Sequence, residues 1–335
     1  MRCLVTGGGG FLGRALAEML ANRGDTVRVL ARNKYAELDR LGIESIQGDI
    51  RDMDAVSKAC MGCDAIFHAA AIPGIWGDES LYRAINVDGT RNMLEAARRR
   101  GVAKFVYTSS PSVVFDMKDE SGINESTPYP QQFFNPYSKT KAEAEKMALE
   151  QNGRDGVLVC AIRPHLLYGP RDNHLIPRLL ERARLGKLRI VGAGANKVDL
   201  TYVDNAAFAH ILACDAMAPG RVAGKAYFIS DDAPVVLWDW INALLKQLNI
   251  PPVTKRLSQK SALRVGSLLE TAHSLLRLKG EPRMTRFLAM ALSCSHHYDI
   301  AAAKREFRYA PNVAPAEALR RTVAYFKTQG GSPHA

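Results

Sequence analysis

The segment Arg2-Cys3-Leu4-Val5-Thr6 runs without a break into four glycines, Gly7 to Gly10, and then into Phe11-Leu12-Gly13 and an amphipathic stretch. Few folds tolerate that junction. Gly7, Gly10 and Gly13 stand at the spacing G-x-x-G-x-x-G. Glycine there permits a tight turn, lets a pyrophosphate lie against the backbone, and lets a helix start close on the strand it follows. A helix opening at Phe11 and Leu12 would present unpaired N–H groups to an anion. From Phe11 onward, Leu12, Ala15, Leu16, Met19 and Leu20 fall on one face, and the pattern stops at Arg23-Gly24, a basic residue followed by a glycine. The spacing predicts a dinucleotide-binding strand–turn–helix unit.

The rest of the first half repeats this alternation. Short apolar runs at Cys3–Thr6, Thr26–Leu30, Glu44–Gln47, Ala65–His68, Lys104–Thr108 and Val157–Ile162 read as strands, with helical patterns between them. Several are apolar nearly throughout, as parallel strands buried on both faces are. The expected fold class is α/β, a doubly wound Rossmann parallel sheet with a smaller, mostly helical C-terminal substrate-binding portion. The expected division is a nucleotide-binding domain over 1–163, with a returning strand near 200–230 that includes Lys225–Ser230. Residues 164–199 and 231–330 form the substrate-binding portion. A chain of 335 residues suits one such core with an attached smaller part.

Composition narrows the function classes. No stretch reaches the roughly 18 uncharged apolar residues of a spanning helix, and the start is no signal peptide, so a cytoplasmic protein is expected. The six cysteines, including Cys60 and Cys63 in a C-x-x-C, lack a second pair at zinc spacing. They read as packed free thiols, and no metal is expected. The formal charge of +11, with groups at Arg98–Arg100 and at Arg178, Arg182, Arg184, Lys187 and Arg189, comes with no nucleic-acid-binding motif. It suits an anionic cofactor and substrate.

Two positions carry finer chemistry. The second strand ends in Ala31-Arg32, where a site preferring NAD(H) usually carries a carboxylate for the ribose 2′-hydroxyl. A guanidinium can instead hold a 2′-phosphate, so NADP(H) is expected to be preferred, with NAD(H) possible. Further on, Asn135-Pro136-Tyr137 opens a helix that places Lys141 one turn after Tyr137 on the same face. An ammonium near a phenol favours phenolate and lowers a pKa that is near ~10 in isolation. The preceding strand ends in Thr108-Ser109-Ser110, and Ser109, Ser110 and Ser112 are candidates to bind a substrate carbonyl.

With these residues in view, the chain resembles the extended short-chain dehydrogenase/reductase family over nearly its whole length. The carrying motifs are TGGGGFLG, GDI at 48–50, HAAA at 68–71, NVDGT at 86–90, YTSS at 107–110, YSKTK at 137–141, RPHLLYGP at 163–170 and TYVDNAA at 201–207. The resemblance implies that Tyr137 is the acid/base, that Lys141 binds the nicotinamide ribose and tunes Tyr137, and that Ser110 orients the substrate. It implies that Asp49 and Ile50 flank the adenine, that Ala69 and Ala70 line the cofactor groove, and that Pro164 lies beside the nicotinamide. It also implies that Asn86 begins a central supporting helix, and that Tyr202 and Asp204 are packing and hydrogen-bonding elements. Within the family the chain is similar to the 3β-hydroxysteroid dehydrogenase branch, through YTSSPSVVF and Trp76-Gly77. It is similar above all to that branch's reductases of long-chain 2-alkyl-3-oxoalkanoates, which act in bacterial olefin biosynthesis. AAIPGIWG, GKAYFISDDAP and GEPRMTRFLA are among the stretches that carry this likeness.

That likeness implies a long-chain keto or hydroxy acid as substrate, neighbouring olefin-pathway enzymes as partners, and a homodimer. A 3β-hydroxysteroid or sterol dehydrogenase is the alternative, and a non-catalytic NADP-binding redox sensor a remote one. The segment 261–286 is leucine-rich yet charged. It reads as a core-covering helix, a substrate lid, or a peripheral membrane or partner contact.

Overall fold

The structure is a computed structural model that describes residues 1–278 and 280–329. Lys279, one of the charges of the leucine-rich segment, and residue 330 lie outside the described residues. Seven strands form one parallel sheet: β1 (Arg2–Thr6), β2 (Thr26–Ala31), β3 (Glu44–Gln47), β4 (Ala65–His68), β5 (Lys104–Thr108), β6 (Leu158–Pro164) and β7 (Ala226–Ile229). Their spatial order is β7-β6-β5-β4-β1-β2-β3. The order reverses at β1, so the loops after β1 and β4 part there and open a crevice at the carboxyl edge. That is where doubly wound sheets hold their ligands. Every apolar run read from the sequence is one of these strands, with ends displaced by no more than two residues.

Helices cover both faces. The first, α1 (Phe11–Asn22), buries Leu12, Ala15, Leu16 and Leu20 and ends before Gly24, whose φ of +91° stops the helix at low cost. The central helix differs from expectation: it does not begin at Asn86. It starts at Glu79, where the Asp78 carboxylate accepts from Ser80 N–H, and it is wound as a π-helix over Arg83–Asp88 before continuing as α2 (Gly89–Arg99). Asn86 therefore sits inside a widened turn, a device frequent at functional sites. Then come α3 (Pro136–Glu150) and α4 (Val203–Asp215), the latter packed on α1.

The later half builds a second apolar core around Tyr168, Leu180, Trp238, Leu245 and Val323. A four-stranded sheet joins Glu120–Ile123, His296–Tyr298, Lys197–Val198 and Val235–Val236. None of these strands was legible in the sequence. At two to four residues each, they owe their form to pairing with distant segments rather than to their own pattern. The segment 261–286 falls mostly on α5 (Gln259–Leu275) and the turn after it. All six cysteines are buried and free, with burial raising the Cys60 thiol to about 12.

Candidate active site

The glycine turn has the geometry its spacing predicts. Gly7 takes a φ of +70° and its N–H donates to Leu30 O at 3.0 Å, while Gly10 N–H donates to Gly7 O at 2.8 Å. A Cβ on Gly13 would stand 2.2 Å from Gly7 O, so only glycine lets α1 begin this close to the strand. No side chain caps the first turn of α1, which leaves the N–H groups at Phe11, Leu12 and Gly13 available to an anion. The residues present thus fit a dinucleotide pyrophosphate.

The facing wall is fixed by a buried hydrogen-bond chain that the sequence reading missed. Ala70 N–H donates to Thr6 Oγ1 at 3.1 Å, and Thr6 Oγ1 lies 2.7 Å from His68 Nδ1. His68 Nε2 lies 3.0 Å from Thr90 Oγ1, whose hydroxyl donates to Asn86 O at 2.6 Å. The accounting sets every proton. Thr90 has given its hydrogen to Asn86, so it accepts from His68 Nε2–H; His68 Nδ1 then accepts from Thr6. Burial holds His68 neutral, its pKa lowered to about 3, as this chain requires. Asn86 extends the network: its Oδ1 accepts from Ile72 N–H at 2.9 Å and its Nδ2 donates to Thr140 Oγ1 at 3.0 Å. Thr140 donates in turn to Pro136 O at 2.7 Å. The wall of the groove and the first turn of α3 are thereby tied to one residue of the π-turn.

At the outer end of the groove Arg32 is exposed, and among the described residues it forms no salt bridge. Asp49 is engaged by Arg51, whose Nε and NH2 donate to it at 3.0 and 2.8 Å. That bidentate pair lowers the Asp49 pKa, with Arg32 adding a smaller push in the same direction. Arg51, unremarked in the sequence, is thus a second guanidinium beside Arg32. Ile50 is buried against Gly89, where a Cβ would come within 2.5 Å of it.

At the sheet edge, Asn135 caps α3 by accepting from Ser138 N–H at 2.7 Å, with Pro136 in the first turn. Tyr137 and Ser110 lie near each other: burial pushes the phenol pKa up, and the Ser110 hydroxyl pulls part of it back. Ser110 Oγ also lies 3.0 Å from Ser112 Oγ, whereas Ser109 is buried. Of the three serines, the structure brings Ser110 to the tyrosine.

Lys141 corrects the simple expectation. Its ammonium donates to Thr108 O and lies 4.1 Å from the centre of the Tyr107 ring, so these groups engage it first. Tyr137 sits above, not below, the usual phenol range, because burial penalises the phenolate. Burial lowers Lys141 itself to about 7, against an upward pull from Glu145.

Tyr137, Lys141 and Glu145 occupy successive turns of one face. Glu145 is fully buried, accepts from Tyr129 OH at 2.6 Å, and forms a two-point pair with Arg163 Nε and NH2 at 2.9 and 2.5 Å. Pro164, next in β6, is buried at the strand's end. His165 Nε2 then lies 2.6 Å from His296 Nδ1, and Phe115 packs edge-on against His296. The pairs Glu145–Arg163 and His165–His296 join residues 18 and 131 positions apart, which no local motif signals.

A crevice at the switch of a doubly wound sheet, a glycine turn and a Ser–Tyr–Lys set together define an oxidoreductase of the extended short-chain dehydrogenase/reductase type. Comparison with known sequences agrees. Residues 4–258 match the 3-beta hydroxysteroid dehydrogenase/isomerase family, and the chain belongs to it. It is 47% identical to 2-alkyl-3-oxoalkanoate reductases of Stenotrophomonas maltophilia, over 97% of this chain and 99% of that one, and of Shewanella oneidensis, over 96% and 85%. It is 35% identical to 3beta-hydroxysteroid-dehydrogenase/decarboxylase isoform 1 of Arabidopsis thaliana, over 97% and 79%. Among solved structures it is similar to that of gox2253, at a TM-score of 0.79 and 27% identity over 99% of both chains. It is also similar to a Streptomyces venezuelae dTDP-glucose 4,6-dehydratase solved with NAD, at 0.77 and 27% over 99% and 98%.

Proposed function

We propose that this protein reduces a long-chain 2-alkyl-3-oxoalkanoate to the 2-alkyl-3-hydroxyalkanoate with NADPH. The observation that carries the substrate is the 47% identity, over nearly the whole chain, to two reductases of that name. The identity to the steroid and sterol enzymes is 32–37%. A nicotinamide cofactor is supported by the glycine turn and by the NAD-bound structural neighbour. The preference for its phosphorylated form rests on Arg32 and on the absence of a carboxylate at Ala31.

When bound, the nicotinamide supplies the hydride that reaches the ketone carbon. Everything else falls to the chain. Ser110 donates to the ketone oxygen and holds it at the phenol. Tyr137, kept neutral by burial, hands its proton to that oxygen as charge develops there. Lys141, one turn further along α3, holds positive charge beside the phenolate that remains. Glu145 favours the charged form of that lysine.

Oxidation of a long-chain 2-alkyl-3-hydroxyalkanoate with NADP⁺ is the working assay, because β-keto acids lose CO₂. The expected outcome is NADPH formation with the hydroxy acid, and little or none with a 3β-hydroxysteroid. Turnover of the steroid with none of the hydroxy acid would make the protein a steroid dehydrogenase, the reading its steroid and sterol relatives favour.

A further inference from the structure

α5 is amphipathic the wrong way round. Its inward residues, four apart, are Ala262, Gly266 and Glu270. Gly266 is there because Thr285 and Arg286 pass too close for a side chain: a Cβ would lie 2.7 Å from Thr285 C. Glu270 is there to accept from Arg286 N–H at 2.7 Å and to pair with its Nε at 2.6 Å. Leu263 packs on the second core and Leu269 is half-buried, but the other bulky apolar residues point to solvent. At 100° per residue, Arg264, Leu268, Thr271 and Leu275 share the outer face, with Val265 beside them. Leu268 is 72% exposed, Leu275 77% and Leu276, in the following turn, 69%. Val265 and Leu278 are also exposed. Such a concentration of exposed leucine on one helix marks a surface that is covered by something else.

Charge says what covers it. Over Gln259–Leu278 the exposed charged residues are Lys260, Arg264 and Arg277, all positive, and the one acid, Glu270, is buried against Arg286. A two-fold contact with a second copy would set these cations against themselves, on a chain that already carries +11. A bilayer with anionic headgroups accepts both the leucines and the cations. The helix also borders the site: His273 packs edge-on against Trp76, 6.2 Å between ring centres, in the segment that follows β4.

We propose that the outer face of α5 and its following turn docks on the surface of an anionic lipid bilayer, with Leu268, Leu275 and Leu276 inserted among the acyl chains and Arg264 and Arg277 at the headgroups. No helix among the described residues is long and apolar enough to cross a membrane, so the contact is peripheral. A consequence, resting on the long-chain substrate reading, is that substrate enters from the lipid beside α5. The docking itself does not depend on that reading.

The test is co-sedimentation of the full chain with phosphatidylcholine vesicles, with and without phosphatidylglycerol. Retention on the anionic vesicles is expected, weakened by high salt and reduced roughly tenfold or more in Leu268→Ser/Leu275→Ser, since each leucine withdrawn forfeits apolar burial. The melting temperature and NADPH binding of that variant should match wild type, which separates lost docking from lost fold. Wild type left in the supernatant with both vesicles overturns the proposal, as does equal retention on neutral and anionic vesicles, or retention unchanged by the double substitution. A variant that fails to bind lipid only because a wild-type dimer has become a monomer would overturn it too, by making the face a protein contact. Because these readouts involve no turnover, they stand whether or not the substrate assay succeeds.

Discussion

Burial keeps the Tyr137 phenol protonated, and that is the form a reductase needs at the moment its substrate arrives. Replacing Tyr137 by Phe removes one hydroxyl and leaves the ring's packing in place. Turnover should fall about 10²–10⁴-fold while NADPH titrated by fluorescence binds nearly as before; a variant at near-wild-type rate would remove the tyrosine from the chemistry. At the other end of the groove, Ala31→Asp with Arg32→Ser puts a carboxylate where a 2′-phosphate would lie and removes a guanidinium. NADPH affinity should drop roughly 10–100-fold, the worth of a charge-assisted pair, with NADH affinity holding or rising. Calorimetry showing that wild type already binds both equally would dispose of that preference. Residues such as these were legible because their motifs are local: Tyr137 and Lys141 lie four apart, and the glycines three apart. Arg51, His68 and Glu145 were not legible as site residues. Each acquires its role from a partner placed by the fold, such as His68 between Thr6 and Thr90.

On the scale of single elements, α3 acts as a rod that carries chemistry at one end and an anchor further down. Its anchor is the Glu145–Arg163 pair, with side chains 0% and 4% exposed, walled by Tyr129 and by Phe228, whose ring centre lies 5.1 Å from the guanidinium. A buried pair of this kind adds little beyond a well-packed apolar substitute, but half of one is costly, because the remaining charge is stranded. Glu145→Gln should therefore destabilise the protein by about 3–5 kcal/mol, and Glu145→Gln with Arg163→Met by clearly less than the sum of the two single changes. Chemical denaturation of the four proteins checks this, and additive losses would mean that the pair is not coupled. The same contrast explains which elements the sequence disclosed. β1, β4, β5, β6 and β7 are largely apolar because both faces are covered, so each announces itself alone. Glu120–Ile123 and His296–Tyr298 contain Glu, Ser, Gly and His, and are strands only because the fold brings them into register across 172 residues of intervening chain.

Across the whole molecule, that late-formed sheet is where stability should respond to pH. Glu120 is 3% exposed on its strand, and among the described residues its carboxylate accepts only from Asp116 N–H at 3.3 Å and Tyr298 OH at 3.4 Å, too few to offset burial. Burial accordingly raises its pKa from 4.5 to about 7. The unfolded chain releases this proton near 4.5 and the folded chain retains it to about 7. Its contribution is therefore complete at pH below about 4.5 and is lost as pH rises through 7. Asp199 and Asp231, raised to about 6, act with the same sign and are spent slightly earlier. Lys141, lowered to about 7, acts oppositely, gaining stability only as pH climbs above that value, and Glu145, whose pKa is lowered, matters only under acid conditions. The Glu120 contribution is isolated by comparing wild type with Glu120→Gln, which keeps the shape and cannot ionise. At pH 4, below both pKa values, the two should melt within a degree or so of each other. By pH 8 the variant should melt higher by about 2–7 °C, the upper end corresponding to about 1.4 kcal/mol per pH unit between the two pKa values and about 2 °C per kcal/mol in a chain of this size. A melting-temperature gap that stays constant across that range, or that favours wild type as pH rises, would mean that Glu120 is ionised in the fold and is held by partners stronger than a backbone N–H and a distant phenol.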